Sequence, residues 1–517
     1  MNVSERGLAG RGGARRRNGG PDFRGIAAAA IQGWERGPIA LALAGATAVR
    51  RSGPQYPRGD MAERRESERL RQVDAAMAAH PTLPREAVVK EDLLRGGVAF
   101  SAAALDLAAA GKRKAYFIFS FDLVPLADMA GREHWSAPEE IWLEGGPWGF
   151  RPTVVSVRLN PNSPYRVEVD EGRAVLRLEG ETLCEVKLPP TPAYYTRALA
   201  NGKRVNEIAP TIEWGYLIYL TVFRICQYFG KSEECQFCDI NENYRQQVQA
   251  GRPYTGVKSV EEILEALAII AETGAETRAY TITGGSITSQ LKGQREAEFY
   301  AQYAAAIEQR FPGRWIGKMV TQALPKEEAR RFKSAGIQIY HPNYEVWDAE
   351  LFRQICPGKA RYVGREEWHQ RILDAAEIFG PAYVIPNFVG GIEMAQPYGF
   401  RTVEEAIAST AAGLRFFMSH GVAPRFTTWC PEPLTPLGQA NPQGAPLEYH
   451  LRLLETWRDT HAHYGLPTPP GYGDPGAGRA VFSVSSFMDV IAPDAPLPPA
   501  PNGPGSAAQA APATVRN

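Results

Sequence analysis

Three of the chain's six cysteines fall within thirteen residues, as Cys226-Gln-Tyr-Phe-Gly-Lys-Ser-Glu-Glu-Cys235-Gln-Phe-Cys238. Thiolates hold the irons of iron–sulfur clusters, and a cubane has four irons. Three cysteines therefore leave one iron without a protein ligand, a corner where a small molecule can chelate. Phe237, just before the last cysteine, offers a ring that can stack near a bound adenine. Two other readings stand beside this one. Structural zinc normally takes four ligands, usually in two pairs, and the sequence has no second C-x-x-C and no C-x-x-H nearby. The three thiols can also be accidental buried cysteines. Cys184, Cys356 and Cys430 do not group and read as buried apolar residues. Six cysteines in 517 residues make no disulfide framework, so the usage fits a reducing, cytoplasmic setting.

The other residues able to do chemistry stand where strands should end. They lie in Thr281-Ile-Thr-Gly284-Gly285-Ser286, Tyr340-His-Pro-Asn343-Tyr-Glu345, Asn387-Phe-Val-Gly390-Gly391-Ile-Glu393 and Thr427-Thr-Trp-Cys430-Pro-Glu432. Glycine lets a backbone approach a ligand closely, although a Gly-Gly after a strand is as often a plain turn. Asn343 and Glu345 are polar groups on the expected ligand face, with a solvated loop as the alternative. His341 reads as a packed histidine.

These segments need a scaffold, and the pattern supplies one. An apolar, β-rich run covers 216–226. Ser259 and Glu262 make a capping box, followed by an apolar helix face of Val260, Ile263, Leu264, Leu267 and Ile270. Strands are expected at 279–283, 315–320, 337–340, 383–389 and 426–429. Helices are expected at 293–310, 326–335 and 365–379, with another capped by Thr402 and Glu405. Six strand–helix repeats predict an α/β fold with a parallel sheet. An open doubly wound sheet and a partial (β/α)6 TIM-like barrel both satisfy the spacing, and both place ligands at the carboxyl ends of the strands.

Outside this core, charged helical text at 63–105 precedes strand-like runs at 116–122, 153–159, 165–170 and 174–178. The last two flank an Asp-Glu-Gly turn and read as a hairpin. Residues 61–205 are thus expected to form a strand-rich accessory domain, 211–440 the core, and 441–492 a helical extension with a helix at 447–463. The Pro- and Ala-rich tail 493–517 is expected to be disordered. Residues 1–60 carry ten Arg, no Lys and four acids, without apolar periodicity, and read as disordered or as an over-called start. Met61 opens a sensible N-terminus. The apolar run 38–49 admits a signal-peptide reading. No run of about 18 apolar residues predicts a membrane span. Lys plus Arg equals Asp plus Glu, and no basic aromatic stripe in the core points to nucleic acid.

The cysteine run after a first strand, with Gly-Gly after the second, resembles the radical S-adenosylmethionine (SAM) superfamily. The usual first gap there is three residues, and here it is eight. The long gap and the Cys-Gln-Phe-Cys ending are similar to the radical SAM family of bacterial nitrilase-associated gene clusters. So are Ser163-Pro-Tyr165-Arg-Val and Pro357-Gly-Lys-Ala360, and the likeness spans 150–440. After Cys238 the chain reads Asp-Ile-Asn where that family suggests Ala-Ile-Gly, which points to another substrate. The resemblance implies a 4Fe–4S cluster on Cys226, Cys235 and Cys238. It places SAM against Phe237, Gly284, Gly285, Ser286, Asn343, Glu345 and Glu393, with Asn387 a weaker candidate and Lys359 or Arg361 near its carboxylate. It further implies an external one-electron donor of flavodoxin or ferredoxin type, and a 5′-deoxyadenosyl radical that takes hydrogen from a small-molecule substrate. The rival reading is a non-catalytic iron–sulfur or zinc-binding regulatory protein.

Overall fold

The alternation expected from residue 216 onward builds a partial (β/α)6 barrel. The computed structural model describes residues 58–499, apart from 110, 113, 115–122, 124–136, 250, 252–255, 274–275 and 477. The expected strand at 116–122 lies outside the described residues, as do 1–57 and 500–517. The described part belongs to one compact unit that begins at Arg58.

Its N-terminal portion is a six-stranded sheet of β1 (Ala99–Phe100), β2 (Glu140–Gly145), β3 (Phe150–Ser156), β4 (Tyr165–Asp170), β5 (Arg173–Leu178) and β6 (Glu181–Lys187), in the order β1-β4-β5-β6-β2-β3. The β4–β5 hairpin turns through Glu171 and Gly172, both at positive φ, which is why glycine stands there. The helix Arg85–Gly96 lies on this sheet.

The barrel follows. β7 (Thr211–Ile212) pairs antiparallel with β8 (Leu217–Phe223), and β8, β9 (Ala279–Gly284), β10 (Ile316–Thr321) and β11 (Ile339–Pro342) run parallel in that order. Single bridges Tyr340–Val384 and Glu345–Phe388 carry the curve on to β12 (Asn387–Gly390), which pairs in parallel with β13 (Arg425–Thr428). Helices Val260–Glu272, Glu296–Arg310, Lys326–Ser334, Arg365–Phe379 and Val403–Ser419 connect successive strands, and both expected capping boxes, Ser259/Glu262 and Thr402/Glu405, are formed. The fourth strand begins later than expected because the Ile337 N–H still closes the preceding helix on Phe332 O. The fifth is shorter because Pro386, which has no N–H to give to a ladder, precedes Asn387.

Six strands leave a gap between β13 and β7, and the C-terminal segment fills it. Thr428 N donates to Val484 O (3.0 Å), Ser156 N to Ser483 O (2.9 Å), and Ser483 N to Glu213 Oε2 (2.7 Å). The expected helical extension is therefore helical only over Leu447–His463. Beyond it the chain runs back irregularly against both the barrel and the accessory sheet. Residues 493–499 also lie on the body, with Thr468 N donating to Pro496 O (2.7 Å).

The helix Arg85–Gly96 welds these parts through three consecutive buried charges. Lys90 Nζ lies 2.9 Å from Asp489 Oδ2 and donates to Phe482 O, with both ionic side chains wholly buried. Glu91 accepts from Ser486 N and Thr428 Oγ1, and Asp92 from Tyr165 Oη. Removing one member of such a pair strands the other charge in a low dielectric. Lys90→Met is therefore expected to lower stability by about 3–5 kcal/mol. In a denaturant titration, the double variant K90M/D489L should recover most of that loss.

Candidate metal and cofactor site

At the carboxyl ends of the strands, one cavity of about 290 Å³ opens into the barrel. Cys226, Cys235, Phe237, Cys238, Gly284, Gly285, Ser286, Asn343 and Glu345 all line it. Glu393, the remaining expected ligand residue, does not. Gly391 takes φ +113° and throws Ile392–Met394 into a single 3-10 turn. The Glu393 carboxylate thereby folds back into the core, accepting from Gly391 N (2.9 Å), Thr410 Oγ1 (2.9 Å) and Tyr449 Oη (2.9 Å). It is a structural acid whose burial raises its pKa. Glu393→Ala is expected to cost about 1.5–3 kcal/mol through these stranded donors, read as a lower midpoint in a denaturant titration.

The cysteine loop leaves β8 at Phe223 and is braced on three sides. Asn241 Oδ1 accepts the Cys226 N–H (2.9 Å), while its Nδ2 donates to Tyr228 O (2.9 Å). Gln236 N donates to Ile355 O and Leu437 N to Gln236 O. Glu233 O accepts from Gly358 N, and Glu234 binds Arg245. Gly358 sits so close that a Cβ there would meet Glu233 O at 2.5 Å and Tyr228 Cδ1 at 2.6 Å. The Pro357-Gly-Lys-Ala360 stretch thus supports the cysteine loop.

All three cysteines are partly buried and free. Burial pushes the Cys226 thiol up to about 12 and Cys238 well above the ordinary range. Cys235 moves down instead, because the Cys356 thiol donates to its sulfur and because Lys359 stands nearby. Cys356 is therefore more than the apolar filler its isolation in the sequence suggests. Among the described residues, no three His, Cys, Asp or Glu side chains are gathered around a point as ligands of one ion. Cys226, Cys235 and Cys238 nevertheless line the same cavity and act on one another electrostatically. Three thiols on one cavity suit a group with several metal corners and one left open, whereas structural zinc normally takes four ligands.

Lys359 is the positive charge nearest the cysteine loop. It forms a buried ion pair with Glu345 and lies 4.9 Å from the centre of the Trp368 ring. Burial opposes its charge, yet Glu345 and the nearby cysteines hold its pKa above the ordinary lysine value. An ammonium beside thiols favours their anionic, metal-binding form. Glu345 reaches this partner from a left-handed backbone, φ +67°. Such strain in a non-glycine residue persists only where surrounding bonds impose it. Here the N–H groups of Tyr344 and Glu345 share Asn387 O, and Glu345 O accepts from Val389 N. Arg361, the alternative cation, points outward to Glu233.

The glycine pair also differs from expectation in what it approaches. A Cβ on Gly285 would lie 2.1 Å from Ile225 O and 2.5 Å from Cys226 Cα; one on Gly284 would meet Phe223 O at 2.4 Å and Tyr300 Oη at 2.5 Å. The glycines let the β9 loop press on the root of the cysteine loop. Tyr300 Oη donates to Gly285 O (2.7 Å), and Gln227 N to Ser286 O (2.9 Å). Glu296 accepts from Ile287 N (2.6 Å) and from Gln322 Nε2 (2.5 Å), and burial lifts its pKa to about 8. Sequence reasoning missed Asn241, Glu296, Tyr300 and Gln322. Only Asn241, three residues past Cys238, stood where a motif drew attention. His341 is packed, with Nδ1 2.8 Å from Ile385 O.

No protein-family profile matches the chain, and no curated protein matches it. Among solved structures, methylornithine synthase (PylB) aligns over 49% of this chain and 72% of its own, at 14% identity and a TM-score of 0.34. HydG, a maturase of FeFe-hydrogenase, aligns over 48% of this chain at 13% identity and a TM-score of 0.36. HemN of Escherichia coli, a coproporphyrinogen III oxidase described as a radical SAM enzyme, aligns over 48% of this chain at 13% identity and a TM-score of 0.31. The match spans 50% of the length of HydG and 52% of HemN. The barrel assignment rests on the strand pairing described above.

Proposed function

We propose that this chain is a radical SAM enzyme acting on a small molecule. The observation that carries the reading is the meeting of four strand-end segments in one cavity: the three cysteines, Gly284–Ser286, Asn343 with Glu345, and Thr427–Glu432. Cys226, Cys235 and Cys238 would hold a 4Fe–4S cluster with one open corner. When bound, the cluster supplies the electron that cleaves SAM to methionine and a 5′-deoxyadenosyl radical able to take hydrogen from a substrate carbon.

The chain's own residues bind, orient and shield. Lys359 offsets thiolate charge at the cysteine loop. Phe237, between two of the cysteines, offers a face for adenine. Asn343 Oδ1 is buried with no partner, and it lines the cavity as an acceptor for a ribose hydroxyl or the SAM ammonium. Glu345 serves the same end from its strained position. The barrel wall, with the Phe482–Val484 segment filling its gap, shields the interior from water. The long cysteine gap, with Ser163-Pro-Tyr165 and Pro357–Ala360, supports the nitrilase-associated branch. The electron donor would be a flavodoxin or ferredoxin, and the proposed setting is the cytoplasm. No described helix is long and apolar enough to cross a membrane.

The test is anaerobic reconstitution with iron and sulfide, followed by dithionite and SAM. Brown protein that releases 5′-deoxyadenosine and methionine is the expected result. A colourless protein that takes up zinc and leaves SAM intact would establish the regulatory alternative.

A further inference from the structure

The floor of the barrel carries two cations that the cluster and SAM do not use. Side chains alternate along a strand, and the inward set includes Thr281 and Thr283, Lys318 and Val320, Asn387 and Val389, and Arg425 and Thr427. The register places Lys318 beside Thr281 and Arg425 beside Asn387. Lys318 and Arg425 thus stand where their strands begin, at the opposite end of the cavity from Cys226 and Gly284.

Both lean on Tyr472. Lys318 Nζ lies 4.4 Å from its ring centre and donates to Gly471 O; Arg425 Nη1 donates to Tyr472 Oη (3.1 Å). Neither forms an ion pair with a described carboxylate. Arg425 Nε is buried without a partner. The acid nearest in effect, Glu213, is engaged with Ser483 N. Burial, and then the Arg425 charge, bring the Lys318 pKa down to about 7. Two like charges held together inside a protein are costly; Glu213 on the same wall offsets Lys318 only in part, and no described carboxylate pairs with either cation.

We propose that Lys318 and Arg425 form a binding site for the carboxylate of a small organic acid, which is the substrate of the radical reaction. This deepens the function proposed above and rests on it for the word substrate. The acid enters carboxylate first. Its carbon skeleton lies against Val320, Val389 and Phe482, and the carbon to be attacked points toward the cysteine end. A planar carboxylate suits the guanidinium fork. A phosphate would favour helix N-termini, and those lie at the other end of a (β/α) barrel.

The full chain is titrated calorimetrically, without cluster or SAM, with acetate, benzoate and indole-3-acetate, with the three matching amides, and with inorganic phosphate. At least one carboxylate is expected to bind saturably and at least tenfold more tightly than its amide and than phosphate. R425Q and K318M are each expected to weaken that binding at least tenfold. K318M, which removes the repulsion, should melt no lower than the wild type. If R425Q does not fold, K318M and the carboxylate–amide contrast decide. Equal binding of acid and amide, no carboxylate binding, tighter phosphate binding, or wild-type affinity in K318M would each overturn the proposal. SAM cleavage is measured separately, so its failure leaves this result readable, and the reverse holds too.

Discussion

Cys238→Ala protein, reconstituted anaerobically, is expected to lose its cluster and with it all dithionite-driven release of 5′-deoxyadenosine. Cys226→Ala and Cys235→Ala should do the same. Each thiolate would serve a different iron, so no neighbour can take over. The decline should exceed the roughly 10–100-fold typical of losing a supporting group around a metal site, because a direct ligand is removed. Cys356→Ala separates ligand from neighbour. Cys356 touches Cys235 through one hydrogen bond, so its loss should leave iron content near the wild-type level. Iron and sulfide analysis beside product release checks both statements. A Cys235→Ala protein with full iron and Cys356→Ala protein without it would exchange the two roles.

The legible parts of this protein were those where local chemistry and tertiary structure agree. Ser259 with Glu262 announced a helix start, and Asp170-Glu-Gly172 announced a hairpin. The six-unit core followed from the spacing of apolar runs. The illegible parts depend on contacts between distant segments. Lys90 reads as an ordinary charge in an amphipathic helix, and only its meeting with Asp489 makes it a buried cation. In Ile316-Gly-Lys-Met-Val-Thr321, Lys318 looks like the solvent side of a strand. The barrel curls that side inward. Glu393 followed Gly-Gly as a ligand residue should, and the positive φ of Gly391 turned it away.

Gly285 presents the second large effect, and it separates two explanations of one motif. If the glycine exists so that SAM can approach the loop, a methyl group there would weaken SAM binding and spare the cluster. The distances favour another cause. The added Cβ would lie 2.1 Å from Ile225 O and 2.5 Å from Cys226 Cα. These are backbone atoms, and no rotamer change relieves the overlap. The loop at Ile225–Cys226 would have to move, although Asn241 holds the Cys226 N–H and Gln227 N is tied to Ser286 O. Overpacking of this kind costs about 1–3 kcal/mol even where side chains can yield. Gly285→Ala is therefore expected to lose iron as well as SAM affinity, because the first cysteine is pushed off its position. Gly285→Val should be worse in both respects. The decisive comparison is iron per chain against SAM affinity in the same preparations. Full iron with weakened SAM binding would show that the loop yields to the methyl group and that close approach to the ligand is what the glycine serves. Parallel loss of both would show that the Gly-Gly loop acts by holding the root of the cysteine loop in place.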